Sequence, residues 1–201
     1  MDRATANILN ETTTAFYAAQ AESFSATRQA GWPGWLRLLE RVNPAKEMPA
    51  KETGQVLDVA CGNGRFRLFL QQELPQVQFA YRGIDSCAPL AGDGVEQHDI
   101  VTELLDGSFD PGEQRARLTV CFGFFHHVPG MEARQTLLRA LCAATRPGGL
   151  VAVSLWRFMD EPNLAMKAQV STNRALKHFS DQGISLNLDA NDYLLGWQMQ
   201  Q

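Results

Sequence analysis

At 201 residues, the chain has room for one sizeable domain with a single core and is too short for two ordinary ones. A formal net charge of -4 excludes a surface that binds polyanions all over, leaving at most a local basic stripe. The four cysteines, Cys61, Cys87, Cys121 and Cys142, show no C-x-x-C spacing and no histidines at metal-ligand intervals, so a reducing compartment, free thiols and no metal are expected.

Met1-Asp2-Arg3-Ala4-Thr5 lacks the apolar core of a signal peptide, and no apolar run approaches about 18 residues; the expected location is the cytoplasm, with no membrane contact. Residues 1–44 predict a helical cap. In it Phe16, Tyr17 and Phe24 are candidate apolar contacts, Trp32-Pro33-Gly34-Trp35 is a break, and Leu36, Leu38, Leu39 and Val42 lie on a second helix that Asn43-Pro44 stops. A polar loop with Pro49 and Gly54 comes next.

Over 55–156 strands alternate with helices. Strands are expected at 55–59, 77–84, 95–98, 118–122 and 150–155, and helices at 65–74 and 131–145. Such alternation predicts an α/β fold with a parallel, doubly wound sheet covered on both faces, and Leu137, Leu138 and Leu141 are expected to pack the later helix onto it. Over 157–201 a last helix, 161–180, places Lys167, Arg174 and His178 on one face. The simplest reading of that stripe is a solvated face, with a nucleic-acid contact as the alternative.

The richest stretch is Val56-Leu57-Asp58-Val59-Ala60-Cys61-Gly62-Asn63-Gly64-Arg65-Phe66, an apolar strand that runs through a small-residue turn into a helix. Such a turn lets backbone N–H groups approach a ligand, and the helix adds the positive end of its dipole. Small residues also close tight turns for steric reasons alone, so the order of the later strand ends matters. A second strand ends in Asp85, where an acid can bind two ribose hydroxyls. Val95-Glu96-Gln97-His98-Asp99-Ile100 comes next, and then a strand ending at Phe122-Gly123-Phe124-Phe125-His126-His127. In parallel sheets ligands bind beyond the carboxyl ends of the strands, and Asp85, Asp99 and His126-His127 all lie there. A nicotinamide dehydrogenase is disfavoured, because Arg65, Phe66 and Arg67 follow Gly64 where a third glycine would stand.

With these residues in this order, the chain resembles the class I S-adenosylmethionine-dependent methyltransferases over most of its length. The resemblance implies a Rossmann-like sheet and S-adenosyl-L-methionine as cofactor. It assigns Asp58 and the turn Ala60, Cys61, Gly62, Asn63 and Gly64 to the methionine end and ribose, Asp85 to the ribose hydroxyls, and Asp99 with Ile100 to the adenine. Ser86 and Phe122, at the ends of the second and fourth strands, join the cofactor set. Arg146-Pro147-Gly148-Gly149 resembles the turn before the fifth strand. Ala60 stands where the family often has glycine. The family's closing antiparallel hairpin has only 184–188 and 193–197 to form from, so a short or missing hairpin is expected.

Two segments narrow the resemblance. Phe16-Tyr17, Phe24-Ser25, Thr27-Arg28-Gln29 and Trp32-Pro33, in that order, together with Phe124-Phe125-His126-His127-Val128, resemble the tRNA wobble-uridine methyltransferases that esterify 5-carboxymethyluridine. A carboxylate acceptor is already ionised and needs a positioning cation rather than a base, and Arg28 is the candidate. Of His126 and His127, one is expected to point into the packing and the other, His127, into the pocket, where it would act as a base on a hydroxyl or amine acceptor. Tyr17, Trp32 and Trp35 are candidates for a cofactor lid or a base-stacking surface, or else for core. The alternatives are a methyltransferase acting on a small molecule and a non-catalytic cofactor-binding module serving a protein partner.

Overall fold

Residues 56–59 are buried in succession, as a strand covered on both faces must be, and this strand is the middle of the sheet. The computed structural model describes residues 1–27, 30–42, 54–91, 94–112 and 115–195, with 22–25 and 54 described by backbone alone. Five parallel strands, β1 (Gly54–Val59), β2 (Phe79–Asp85), β3 (Val95–Gln97), β4 (Ala116–Cys121) and β5 (Thr145–Val153), lie in the order β3-β2-β1-β4-β5. Val56 pairs with Tyr81 on one side and Leu118 on the other. The order reverses between β1 and β4, which opens a crevice at their carboxyl ends.

The side-chain period of two splits the core in half. Val56, Leu118 and Val120 pack with Trp35, Phe66, Phe69 and Leu70, which come from α2 (Pro33–Val42) and α3 (Arg65–Glu73). Leu57, Val59 and Ile84 pack on the opposite face with Ile100, Leu104, Leu137 and Leu141, from α4 (Ile100–Asp106) and α5 (Met131–Ala143). Helices α1 (Arg3–Thr27) and α6 (Pro162–Asp181) complete the fold.

Several elements depart from the sequence expectation for local reasons. Pro33 opens α2 instead of breaking the chain there, since its fixed φ suits a first helical position. Helix α4 was not expected, although Asp99 caps it by accepting from Thr102 N at 3.1 Å. Helix α5 stops at Ala143 because Thr145 already pairs with Ala116, and residues 146–149 bulge within β5 before Leu150 meets Leu118. A Cβ on Gly149 would lie 2.7 Å from the Arg117 carbonyl, so only glycine fits that bulge. Leu138 is 43% exposed and does not pack as expected: it sits about 100° around the helix from Leu137.

On α6 the buried face is Ala168, Thr172, Ala175 and Phe179, while Lys167 and Arg174 are exposed and His178 is half-buried. Among the described residues after α6 no strand forms, and β5 is the edge of the sheet they build. Residues 187–194 run instead as a strap. Asn187 N donates to Thr5 Oγ1 at 2.9 Å, Asp189 accepts from Met131 N at 2.9 Å, Asp192 holds Arg134 at 2.6 Å, and Leu194 N donates to Thr172 Oγ1 at 2.8 Å. Gly196 and Trp197 lie outside the described residues, as do Asn43 and Pro44.

Candidate active site

The carboxyl ends of β1, β2, β4 and β5 surround a cavity of about 490 Å³ roofed by α1. At the end of β1 the chain bends sharply: Ala60 N and Cys61 N both donate to the Ile84 carbonyl, at 2.8 and 3.1 Å. The bend puts Ala60 at φ +62°, followed by Gly62 at +54° and Gly64 at +70°. An alanine in the left-handed region costs roughly 1–2 kcal/mol, offset in part because glycine loses about 0.5–1 kcal/mol more in backbone entropy. Ala60→Gly is therefore expected to leave stability unchanged or raise it by up to about 1 kcal/mol, with ligand binding retained. A drop of several degrees in the melting midpoint would contradict this backbone assignment.

Asp85 ties the two loops together. One carboxylate oxygen accepts from Gly62 N at 2.7 Å and the other from Cys87 N at 2.8 Å. Even so, burial raises its pKa above the usual carboxylate value. Asp58 is 2% exposed and accepts a hydrogen bond from the Tyr81 hydroxyl; burial pushes its pKa up to about 7, with that bond opposing and the neighbouring Asp85 adding to the rise. Among the described residues no cation pairs with either acid. Two uncompensated carboxylates in one cavity favour a cationic ligand.

Both histidines line the cavity, contrary to the expected division of one inward and one outward. Strand alternation does not reach them: β4 ends at Cys121, and Phe125–His127 forms a 3-10 turn. Phe125 takes the buried position, leaving His126 and His127 together with ring centroids 4.0 Å apart. His127 Nε2 shares a hydrogen bond of 2.8 Å with the Tyr17 hydroxyl of α1. Burial and the adjacent His126 lower the pKa of His127 to about 3, and burial lowers that of His126. His127 is therefore a neutral ring tethered to the roof. His126 meets Trp156 edge to face, with ring centroids 5.4 Å apart.

Of the other expected residues, Tyr17, Cys61, Asn63, Ser86, Phe122, Trp32 and Trp35 line the cavity. Trp35 is also core, at 3% exposed. Gly64 caps α3 and is not among the lining residues. Asp99 and Ile100 do not line it either, because Asp99 spends its carboxylate on Thr102 and Ile100 is fully buried beneath the sheet. Val101 and Leu90 occupy that wall. Arg28 lies outside the described residues. No group of three or more His, Cys, Asp or Glu suited to a metal occurs among the described residues.

Apart from Tyr17, two sets of wall residues went unrecognised in the sequence. Asn10, Thr13, Thr14 and Tyr17 line the roof; their i, i+3, i+4, i+7 spacing is a helical face, but a polar one, which a search for apolar periodicity passes over. Ser154, Leu155 and Trp156 follow the last strand and were reachable by the same strand-end rule that picked out Asp85.

A family model described as a methyltransferase domain matches residues 17–194. The tRNA (carboxymethyluridine(34)-5-O)-methyltransferase ALKBH8 of Macaca fascicularis is 25% identical over 160 residues, which cover 79% of this chain; the chain spans only 22% of that relative's length. Among solved structures, a DhpI-SAM-HEP complex is similar at 18% identity and a TM-score of 0.48, covering 77% of this chain and 71% of the other. A SAM-dependent methyltransferase from Geobacter sulfurreducens in complex with S-adenosyl-L-homocysteine shows 15% identity and a TM-score of 0.48, covering 83% and 70%. The chain belongs to the methyltransferase-domain family.

Proposed function

We propose that the cavity holds S-adenosylmethionine against Asp58, Asp85 and the turn through Gly62, and that its methyl group passes to a carboxylate, that of a modified wobble uridine in tRNA. The cofactor carries a sulfonium and an ammonium, which suit two buried acids lacking a cation. A cavity of about 490 Å³ also falls within the range of small-ligand sites, about 300–1,000 Å³. The observation that carries the acceptor class is the state of the histidines: His127 is tied to Tyr17 and its pKa is lowered to about 3, so the acceptor end offers aromatic faces and only a weak base. A carboxylate needs none. When bound, the cofactor would supply its methyl group to a carboxylate oxygen and keep the bonding pair as a neutral thioether, so that no residue of the chain would need to move a proton. Most of the rate then comes from alignment.

The 25% identity to the tRNA methyltransferase supports the nucleic-acid acceptor. Arg28, in the segment that carries the narrower resemblance, is assigned the role of holding the carboxylate with its two-point fork. The proposed setting is the cytoplasm; no helix of the described residues is long and apolar enough to cross a membrane. A small-molecule carboxylate is the second reading, favoured by the net charge of -4.

The test is transfer of a labelled methyl group to tRNA bearing 5-carboxymethyluridine, beside the same tRNA lacking the carboxymethyl group. Transfer to the first alone supports the assignment; transfer to neither tRNA, with turnover on a small carboxylate, replaces it with the second reading. At saturating cofactor the rate is expected to be flat from about pH 6 to 9, because an acceptor carboxylate is ionised throughout. A rate limb within that range would instead reveal a group that titrates there and takes part in the transfer. Arg28→Lys should leave cofactor affinity nearly intact and cut turnover by about tenfold or more. Loss of both together would move Arg28 to the cofactor side.

A further inference from the structure

The loop that leaves β5 carries Trp156, which lines the cavity and yet is 51% exposed. Its position is set just ahead of it. Ser154 N donates to the Cys121 carbonyl at 3.2 Å, and Ser154 Oγ accepts from Gly123 N at 2.7 Å, so the chain is clamped across the ends of β4 and β5 before it reaches the indole.

Two rings brace the indole. His126 meets it at 75° with centroids 5.4 Å apart, and Phe158 meets it at 68° and 5.7 Å. Each brace is itself held: His126 lies 4.0 Å from His127, and Phe158 rests on Tyr193 of the strap at 5.9 Å. Such packing fixes the tilt of the ring in advance, so little rotamer freedom remains to be lost when a ligand arrives. A single exposed apolar side chain on an open surface is ordinary. An indole braced within a cavity wall is a face for a ligand to cover.

The sheet order says which part of a ligand that is. Asp58 and Asp85 stand at the ends of β1 and β2, whereas Trp156 follows β5, with β4 between. A cation would also sit on an indole face, but the acids that draw it lie on the other side of β4. A flat heterocycle gains offset stacking on an indole that a short aliphatic acid cannot supply.

We propose that Trp156 stacks on a flat heterocycle of the methyl acceptor, so that the acceptor is recognised by its ring as well as by its carboxylate. This rests on the acceptor reading above, in which the ring is the base of the wobble uridine. Trp156 is then the residue that separates a base from a small aliphatic carboxylate.

Calorimetry on protein saturated with S-adenosylhomocysteine would compare two anticodon stem-loop RNAs. One carries 5-carboxymethyluridine at the wobble position; the other carries its 5,6-dihydro form, which keeps the carboxylate and loses the flat ring. The two RNAs also differ in their own flexibility, so the variants decide and not the parent alone. The parent should prefer the flat base by about tenfold. Trp156→Phe should keep most of that preference, and Trp156→Leu, which retains apolar bulk without an aromatic face, should lose it. S-adenosylhomocysteine alone should bind all three proteins alike.

Melting curves keep the comparison to folded protein, and Trp156→Met replaces the leucine variant if that one does not fold. Parental affinity and preference in folded Trp156→Leu would overturn the proposal and leave the acceptor reading standing. Equal losses on both RNAs would overturn it too, since they show contact without recognition of the ring. A loss of S-adenosylhomocysteine affinity with the preference unchanged would move the indole to the cofactor. A parent that binds neither RNA would overturn the acceptor reading, and this one with it.

Discussion

Asp58→Asn is expected to make the ligand-free protein more stable at pH 8 and nearly unable to bind its cofactor. The cause is a carboxyl whose pKa rises from 3.8 in the unfolded chain to about 7 on burial. Between these two values the folded protein keeps a proton that the unfolded chain has released. The contribution of Asp58 to stability is therefore greatest below about pH 4, falls as pH rises through the window, and is lost above about 7. The full shift corresponds to something on the order of 4 kcal/mol, reduced by whatever the variant's buried amide costs.

Asparagine at this position still accepts the Tyr81 hydroxyl, so the hydrogen bond is kept while the buried charge is removed. A rise of about 5 °C in the melting midpoint at pH 8, shrinking towards pH 5, is the expected result. Cofactor affinity should fall by about a hundredfold. In the parent, affinity should weaken by up to about tenfold per pH unit below 7, because binding a cation there requires Asp58 to give up its proton. A variant that melts no higher than the parent at pH 8 would show that Asp58 carries no uncompensated charge in the fold.

Leu141→Ala should cost about 2–5 kcal/mol, the usual loss when a fully buried leucine is truncated and its cavity collapses only in part. Leu141 is 0% exposed and packs with Leu57, Val59 and Leu137, so the loss falls on the sheet beneath the cofactor loop. Leu138→Ala, on the outer side of the same helix, should change stability by no more than about 0.5 kcal/mol. Urea denaturation of the pair settles the placement. Equal losses would mean that α5 is rotated from the position described.

The floor of the site was legible in the sequence and most of the roof was not, for a physical reason. Asp58, Gly62 and Asp85 follow apolar strands, and strand ends in a parallel sheet are fixed by pattern and chain order. The role of Asp99 could not be separated from capping, since one carboxylate at the start of an apolar run serves either a ligand or the first helical turn; here it caps α4. His126 and His127 were misjudged by applying strand alternation beyond the last residue of β4. Of the roof stripe Tyr17 was expected, whereas Asn10, Thr13 and Thr14 face a cavity rather than a core and carry no hydrophobic signal. Leu138 and Leu137 differ only by helical phase, which becomes certain once the buried face of the sheet is known.

The strap over 187–194 bears on how the chain reaches this state as it is made. Its Asn187 holds Asp2 and Thr5 at the base of α1 across 185 and 182 residues of sequence, contacts of very long range for which loop closure must come first. A chain leaving the ribosome completes its five strands by Val153, while α1, synthesised first, finds these anchors only after α6 has emerged. The floor of the cavity is thus complete before its roof receives the last of its ties. A nascent chain halted shortly after β5 would already hold α1 through Asn10 on Thr102 and Tyr17 on His127, and the arrival of Asn187 and its neighbours ties down the start of the helix.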